Sequence, residues 1–264
     1  MPRGKVVYIG TTDTVYPKEE DVNFPFANME DANYILKAAN FMFPESNLTI
    51  EDIESTWAGL RPLIYEEGKD PSEVSRKDEI FITDSKLISI AGGKLTGYRK
   101  MAERAVDEAF DQLKHIDGRK HIKCTTKKVK LAGGDLKGSS GVADYIKYLK
   151  AQYVDFTHES IEDLVYKYGT NTDEILDAAR LIDGEDNLLK AELNYGIENE
   201  SVISISDFLI RRTGRLFFER PTLANKYHQI HQYICDKCGH SKEVSDKQLA
   251  LFEKEYFGVV AFKS

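Results

Sequence analysis

One short segment combines residues that could hold a phosphate group or the edge of a heterocyclic cofactor. It lies between a β-rich run and a helical pattern, and it consists of Gly92, Gly93, Lys94, Leu95 and Thr96. Glycines permit close backbone approach, a helix amino terminus presents N–H groups to an anion, and the lysine adds a positive charge. This glycine–lysine segment therefore indicates a cofactor or phosphate edge. A strand-to-helix turn whose glycines serve backbone geometry alone explains the spacing equally well.

Two arginines form a second candidate site. Arg61 is followed directly by Pro62, which restricts the backbone and lowers the entropy lost when the side chain binds an anion. Arg76 lies shortly before the next β-rich run. Two guanidinium groups that converge on one dianion would form a phosphate clamp, because each can bind two oxygens. The residues alone favour ordinary ion pairs with the nearby Asp78 or Glu79, the common state of exposed arginines.

A cysteine- and histidine-rich stretch near the carboxy terminus offers an alternative site for a metal. Cys235 and Cys238 have the spacing of zinc ligands, and His240 follows them. A zinc ribbon usually needs a second ligand pair on another element, and the same stretch has the apolar spacing of an amphipathic helix. We therefore predict a helix without a metal and keep a zinc-held tail as the alternative. The odd number of cysteines argues against a disulfide framework.

The elements that position these residues can be predicted from hydrophobic periodicity. In the first half of the chain they are a strand over residues 6–9, a helix over 31–43, a hairpin of strands 79–83 and 86–91, and a helix over 98–113. Thr96 is well placed to cap the last of these helices. A short strand over 126–131 follows, and helical patterns, among them apolar stripes over residues 161–168 and 175–182, then continue to the carboxy terminus. The sequence predicts an α+β protein with domains at residues 1–120 and 121–264, the second mostly helical.

Composition and charge exclude several classes of function. A chain of 264 residues with 41% apolar content can bury a full core, and its net charge of −8 creates no field that attracts nucleic acid. The basic run from Lys114 to Lys130 contains no aromatic residues for base stacking and is typical of a solvated linker with an edge strand. No apolar stretch approaches the roughly 20 residues that span a bilayer, and no signal-peptide pattern is present. We expect a soluble or peripheral protein.

Four sequence blocks occur in the order seen in FAD-dependent, respiratory-type glycerol-3-phosphate dehydrogenases, which the chain resembles. They are Gly10-Thr11-Thr12-Asp13-Thr14, the run from Ser55 to Pro62, Ser75-Arg76, and the run from Ala91 to Ala102. The resemblance continues at lower density through residues 168–171, 191–193 and 207–213, so it covers nearly the whole chain. Glycerophosphate oxidases carry a long insertion between the second and fourth blocks. Only 29 residues separate Pro62 from Gly92 here, which favours a dehydrogenase.

The resemblance implies oxidation of sn-glycerol 3-phosphate to dihydroxyacetone phosphate, with hydride transfer to FAD and electrons passing to a membrane quinone. It implies that Arg61 and Arg76 bind the substrate phosphate, that the glycine–lysine segment faces the flavin, and that Gly10, Thr11 and Thr12 lie near the substrate side of the flavin. Residues 1–120 would then be the carboxy-terminal part of an FAD- and substrate-binding domain. The implied location is cytoplasmic, peripheral to the inner face of the cell membrane, and a homo-oligomer fits this family.

The chain departs from the family pattern at one place. The G-x-G-x-x-G fingerprint that cradles the FAD pyrophosphate is absent, as is the amino-terminal region in which the family carries a histidine proposed as the base. No catalytic base is therefore assigned, and we expect a carboxy-terminal portion that neither retains FAD nor turns over alone. The alternative function is a protein- or membrane-interaction module formed by the helical region, about residues 125–264, with the zinc-held tail.

Overall fold

The computed structural model describes residues 1–16, 21–60 and 78–263, so Arg61 and Arg76 lie outside the described part of the chain. Contacts divide the chain into two compact units. The larger unit contains Met1–Leu60 and Ala132–Ser264, and the smaller contains Arg61–Leu131. No helix among the described residues is long and apolar enough to cross a bilayer. The predicted domain boundary near residue 120 stays a prediction.

The larger unit is built mainly of helices. Its first helix, Met29–Met42, begins with a reciprocal cap: Asn28 accepts from the Asp31 N–H, and Asp31 accepts from the Asn28 N–H. A short antiparallel ladder pairs Pro2–Arg3 with Val6–Val7. The later helices are Gly138–Gln152, His158–Tyr168, Thr172–Arg180, Asn187–Asn199, the π-helix Asp207–Arg212, Arg215–Phe218, Arg220–Leu223, Tyr227–Cys238 and Lys242–Gly258.

Two apolar clusters form the core of the larger unit. The helices between residues 138 and 199 supply one cluster, and the helices from 187 onward supply most of the other. The side chains at their centres are Leu149, Ile161 and Leu176 in the first and Phe208, Ile234 and Phe252 in the second. Each such burial stabilises the fold by roughly 1.5–3 kcal/mol. The apolar stripes predicted over residues 161–168 and 175–182 face the first of these clusters.

A close backbone crossing explains one glycine pair in this unit. Gly133 and Gly169 both have positive φ angles, +74° and +57°. A Cβ atom on Gly133 would lie 2.2 Å from the Tyr168 carbonyl oxygen, and one on Gly169 would lie 2.0 Å from the Gly133 oxygen. The Thr170 N–H donates to Gly133 O at 3.0 Å across the same crossing. Only glycine fits at either position.

The smaller unit contains the predicted hairpin and the strongest predicted helix. Asp78–Ile82 pairs antiparallel with Ile88–Gly92, with Ile80 opposite Ile90. The helix Tyr98–Asp117 extends four residues beyond the predicted end because the sequence supplies a stop at Gly118, which adopts a left-handed conformation with φ +72°. These elements and the helices of the larger unit confirm the α+β class and the helical character of the carboxy-terminal region.

Three local predictions were wrong. Thr96 does not cap the helix: it lies within the 3-10 turn Leu95–Gly97, and Gly97 occupies the cap position. Residues 126–131 form no strand; a 3-10 turn over Thr126–Lys128 takes their place, closed by the Lys128 N–H donating to Thr125 O. The strand predicted over residues 6–9 is shortened to Val6–Val7, because its partner strand is only two residues long.

Candidate functional site

Ser55 and Thr56, which begin the sequence block that ends at Pro62, are hydrogen-bonded to the helical part of their own unit. The Ser55 hydroxyl donates to Phe217 O at 2.6 Å. The backbone N–H and the hydroxyl of Thr56 both donate to Val259 O, at 2.8 and 2.9 Å. Each such bond contributes about 1 kcal/mol. Three bonds therefore hold the start of a block that the family resemblance assigns to substrate binding.

An aromatic cluster, formed by Tyr8, Trp57, Phe217 and Phe218, continues this anchor. The Trp57 ring centroid lies 5.2 Å from that of Phe217, 5.8 Å from Phe218 and 5.9 Å from Tyr8. Such tilted and edge-on pairs contribute beyond their buried area. The guanidinium of Arg3 lies 5.3 Å above the Phe218 ring. Tyr8, two residues before the first family block, and Trp57, within the second, therefore contact the same phenylalanine, Phe218.

A buried ion pair fixes the helix that carries Phe217 and Phe218. The Glu192 carboxylate is 1% exposed, and it accepts from Arg215 Nη2 at 2.6 Å and from the Tyr168 hydroxyl at 2.9 Å. Arg215 Nε lies 3.3 Å from Glu219. Burial alone would lower the pKa of Arg215, but the Glu192 and Glu219 carboxylates raise it. Arg215 is thereby held charged at the start of the helix Arg215–Phe218.

This ion pair was missed in the sequence analysis, although the sequence contained a signal for it. Glu192 occupies a core-facing position in the helix Asn187–Asn199, between the buried residues Ala191 and Leu193. A carboxylate in an apolar environment requires a cationic or hydrogen-bonding partner. Sequence order alone does not reveal which cation supplies it.

The glycine–lysine segment forms the turn between the hairpin and the long helix of the smaller unit. Gly92 ends the second strand with φ +76°, and Gly93 follows with φ +85°. The Gly97 N–H donates to Lys94 O at 2.8 Å and closes the 3-10 turn before the helix. Lys94, Leu95 and Thr96 are exposed, Leu95 by 88%. Backbone geometry thus accounts for both glycines, and the exposed surface around Lys94 is open to a ligand.

The remaining predicted flavin contacts lie at the start of the larger unit. Gly10, Thr11 and Thr12 follow the short strand Val6–Val7 without regular secondary structure, and Gly10 and Thr11 are exposed. The Thr11 hydroxyl donates to Thr12 O at 2.8 Å. Arg61 and Arg76 fall outside the described residues, so the phosphate clamp is carried forward as a proposal.

The cysteine- and histidine-rich stretch is the predicted amphipathic helix, Tyr227–Cys238. His231 is buried, its Nε2 lies 2.9 Å from the Ser245 hydroxyl, and Cys235 Sγ lies 3.5 Å from the same nitrogen. Burial lowers the pKa of His231 and raises that of Cys238. No group of three potential metal ligands occurs in the part of the chain that the structure describes. Cys235, Cys238 and His240 therefore give the zinc alternative no geometric support.

The chain is similar to several known proteins. Residues 124–245 match the model of the C-terminal domain of alpha-glycerophosphate oxidase. The aerobic glycerol-3-phosphate dehydrogenase of Bacillus subtilis (strain 168) is 46% identical over 227 residues, which cover 83% of this chain and 40% of that protein. The protein of the same name from Staphylococcus saprophyticus is 42% identical over 260 residues, which cover 95% of this chain and 46% of that protein.

A solved structure shows the same similarity in three dimensions. The X-ray structure of the glycerol-3-phosphate dehydrogenase from Bacillus halodurans complexed with FAD matches with a TM-score of 0.80 and 37% sequence identity. The match covers 95% of this chain and 49% of that chain. The chain thus spans about half the length of the relatives it matches, or slightly less.

Proposed function

The chain belongs to the aerobic glycerol-3-phosphate dehydrogenase family, and on that premise we propose that it forms part of an enzyme that oxidises sn-glycerol 3-phosphate to dihydroxyacetone phosphate. The observation that carries the proposal is the 42% identity to such a dehydrogenase over 95% of this chain. The names of the relatives supply the substrate, and the FAD-bound relative supplies the cofactor. The dehydrogenase assignment, in preference to an oxidase, rests on the short spacing between Pro62 and Gly92.

In this proposal Arg61 and Arg76 bind the phosphate dianion of the substrate. Two guanidinium groups can each donate two hydrogen bonds, which fixes the orientation of the carbon skeleton as well as its position. Arg61 belongs to the sequence block whose first residues, Ser55–Trp57, are held by the hydrogen bonds and ring contacts described above, and the family resemblance assigns that block to substrate binding.

The residues of the glycine–lysine segment fit one edge of a flavin. Gly92 and Gly93 have no side chains to obstruct a ring, and the Lys94 side chain is exposed beside them. FAD, when bound, supplies the acceptor for the hydride from carbon 2 of the substrate. The charge of Lys94 at the pyrimidine edge would favour the reduced, anionic form of the ring. Gly10, Thr11 and Thr12 are proposed on the substrate side of the same cofactor.

The proposal also names the electron acceptor and the cellular location of the protein. Electrons would pass from reduced FAD to a membrane quinone, with the protein in the cytoplasm, peripheral to the inner face of the cell membrane, and able to form a homo-oligomer. Because the sequence lacks the G-x-G-x-x-G fingerprint, the segments described above would contact only part of FAD. We therefore propose that this chain alone neither retains the cofactor nor turns over.

Steady-state kinetics test the proposal in a form of the chain joined to the amino-terminal half of the Bacillus subtilis relative. Oxidation is followed with an artificial electron acceptor. Arg61→Ala and Arg76→Ala should each raise the KM for glycerol 3-phosphate by ten- to a hundredfold, about 1.4–2.8 kcal/mol of lost binding. The matched control is Arg211→Ala, which removes an exposed arginine paired with Asp207 and should leave KM unchanged.

The possible outcomes separate the two parts of the proposal. If the joined form oxidises glycerol 3-phosphate but the two clamp variants keep the original kcat/KM, the phosphate-binding assignment is wrong and the reaction stands. If the joined form binds FAD and oxidises no glycerol 3-phosphate, the proposed reaction itself is wrong.

A further inference from the structure

Two cysteines in the last turn of the helix Tyr227–Cys238 have no role in the reaction proposed above. Cys235 and Cys238 are three residues apart, so they lie next to each other on one face of the helix. Both are free thiols; Cys235 is buried, and Cys238 is partly exposed. Burial raises the pKa of Cys238, and the nearby Cys235 raises it further. We call these two residues the thiol pair.

The spacing of the thiol pair is within range of a disulfide but short of its ideal geometry. In a regular helix, Cα atoms three residues apart are about 5 Å from each other, and disulfides form between Cα atoms roughly 4.4–6.8 Å apart. The corresponding Cβ atoms are about 5–6 Å apart, whereas a disulfide needs about 3.5–4.5 Å. A bond between the two sulfurs therefore requires the last turn to deform by about 1–2 Å.

The last turn is the part of this helix that is able to deform. The helix ends at Cys238, and Gly239 follows in a left-handed conformation with φ +67°. The N–H groups of Gly239 and His240 both donate to the Cys235 carbonyl oxygen, the second at 3.0 Å. These two bonds close the helix end. Because no further helical turn follows the thiol pair, a disulfide would disturb this cap and leave the preceding turns intact.

The two thiols connect the helix end to neighbouring segments. Cys235 Sγ donates to the Ser245 hydroxyl at 3.4 Å, on the helix Lys242–Gly258. Cys238 Sγ lies 4.0 Å from the carbonyl oxygen of Val202, a fully buried residue. A sulfur that turns towards the other sulfur gives up these contacts. The oxidation state of the thiol pair is therefore coupled to the packing of the helix end.

We propose that the thiol pair is a reversible oxidation site, in which a small-molecule disulfide generates a Cys235–Cys238 disulfide that loosens the end of this helix. A strained disulfide is reduced readily. Such a bond suits a switch and not a permanent structural link. The inference goes beyond the proposed dehydrogenase reaction and does not depend on it.

The exchange has two steps. Cys238, the more accessible of the two, attacks one sulfur of the small-molecule disulfide as a thiolate, forms a mixed disulfide and releases one small thiolate. Cys235 then attacks the Cys238 sulfur, which releases the second small thiolate. The His231 imidazole, whose Nε2 lies 3.5 Å from Cys235 Sγ, accepts the Cys235 proton. In total, two cysteine thiols lose two electrons and two protons, and the small-molecule disulfide takes up both to become two thiols.

The rate of the exchange follows from the burial of the thiol pair. Because burial raises the pKa of Cys238, only a small fraction of its thiol is ionised at neutral pH, and the thiolate is the attacking form. We therefore expect an uncatalysed exchange over minutes to hours.

Oxidation of the folded full chain with glutathione disulfide tests the site. The Cys124→Ser background removes the third cysteine, so only the thiol pair can react. After the remaining thiols are blocked and the protein is denatured, trypsin cuts after Lys237, which lies between the two cysteines. The two peptides stay joined only if the disulfide has formed, and a non-reducing gel shows whether the bond lies within one chain. Joined peptides should predominate, and excess reduced glutathione should separate them.

The consequence for the helix end is measured on the linked protein. It should unfold at a temperature about 2–4 °C below that of the reduced protein and recover on reduction. Amide hydrogen exchange should rise at residues 239–245 and 200–204, next to the thiol pair, and stay unchanged in the helix His158–Tyr168.

Three variants in the same background provide matched controls. Cys235→Ser should stop at a mixed disulfide on Cys238. Cys238→Ser should react clearly more slowly, because Cys235 is 4% exposed. The double variant, with both cysteines replaced by serine, should have the same unfolding temperature with and without the oxidant.

Four results would overturn the inference. The first is no reaction of the folded chain, or a mixed disulfide on Cys238 without joined peptides. The second is joined peptides that form only when the oxidant is added in urea, which would show that the folded helix cannot close the bond. The third is a linked protein with the unfolding temperature and hydrogen exchange of the reduced form. The fourth is a bond that reduced glutathione does not reopen.

Discussion

Removal of the Arg215 side chain should be the most destabilising single change among the ion pairs described. Arg215→Met keeps much of the side-chain volume and removes the charge. Among the described residues, it leaves the Glu192 carboxylate, 1% exposed, with the Tyr168 hydroxyl at 2.9 Å and the more distant Lys167 ammonium at 3.9 Å. Loss of one partner from a buried pair costs about 3–5 kcal/mol, because the remaining charge stays buried and these two groups compensate it only in part.

The measurement is the free energy of unfolding from urea titration and thermal unfolding by circular dichroism. A loss of about 3–5 kcal/mol corresponds to a fall in Tm of roughly 10 °C for a domain of this size. The control is Arg211→Met, which breaks the exposed pair with Asp207 and should cost less than about 1 kcal/mol. Restoring charge balance with Glu192→Gln in the Arg215→Met background should recover part of the loss. A loss below about 1 kcal/mol for Arg215→Met would refute the buried-charge reasoning.

Two further predictions concern the larger unit. Gly133→Ala should lower the free energy of unfolding, measured by urea titration, clearly more than Gly239→Ala. Both positions have positive φ, which costs about 1–2 kcal/mol for alanine, but a Cβ at 133 would meet a backbone atom, whereas nothing lies within 4 Å of one at 239. Equal losses would contradict the close crossing. Burial places the folded-state pKa of His231 below its unfolded value of 6.5. Its contribution to the free energy of unfolding is therefore complete above pH 6.5 and is lost as pH falls toward and through the folded pKa. His231→Gln should flatten that decline relative to the exposed control His158→Gln, and identical pH profiles of the two variants would exclude the effect.

Regular elements with strong periodicity could be predicted from the sequence. The helix that begins at Tyr98 and the stripe containing Ile161, Leu164 and Tyr168 were recognised because apolar residues recur at helical spacing. The hairpin was recognised because two β-rich runs flank a short polar turn. In each case the signal is local, and the tertiary structure does not override it.

Features that depend on contacts distant in sequence could not be predicted. The pairing of Glu192 with Arg215 joins two helices, and the bond from Ser55 to Phe217 O spans 162 residues. The strand predicted over 126–131 failed for a related reason: β-branched residues favour a strand only where a neighbouring strand supplies backbone partners. Thr96 was assigned as a helix cap because hydroxyl residues favour that position, but the 3-10 turn displaced the helix start to Gly97 and Tyr98.

The site was predicted more fully from the family resemblance than from local chemistry. Spacing alone left Gly92 and Gly93 equally explained by backbone geometry, and the positive φ angles of both are consistent with that interpretation. The resemblance added the flavin and the phosphate clamp. The structure added the aromatic cluster around Trp57, whose partners Phe217 and Phe218 lie far along the chain and could not be paired with it by inspection.

Reduction of bound FAD by substrate tests the central claim most directly. The chain, joined to the amino-terminal half of the Bacillus subtilis relative, is mixed anaerobically with glycerol 3-phosphate while the flavin absorbance is recorded. The account predicts that glycerol 3-phosphate bleaches the flavin and that Arg61→Ala requires at least tenfold more substrate for the same rate, about 1.4 kcal/mol of lost binding. A joined form that binds FAD and stays oxidised in the presence of glycerol 3-phosphate would contradict the account.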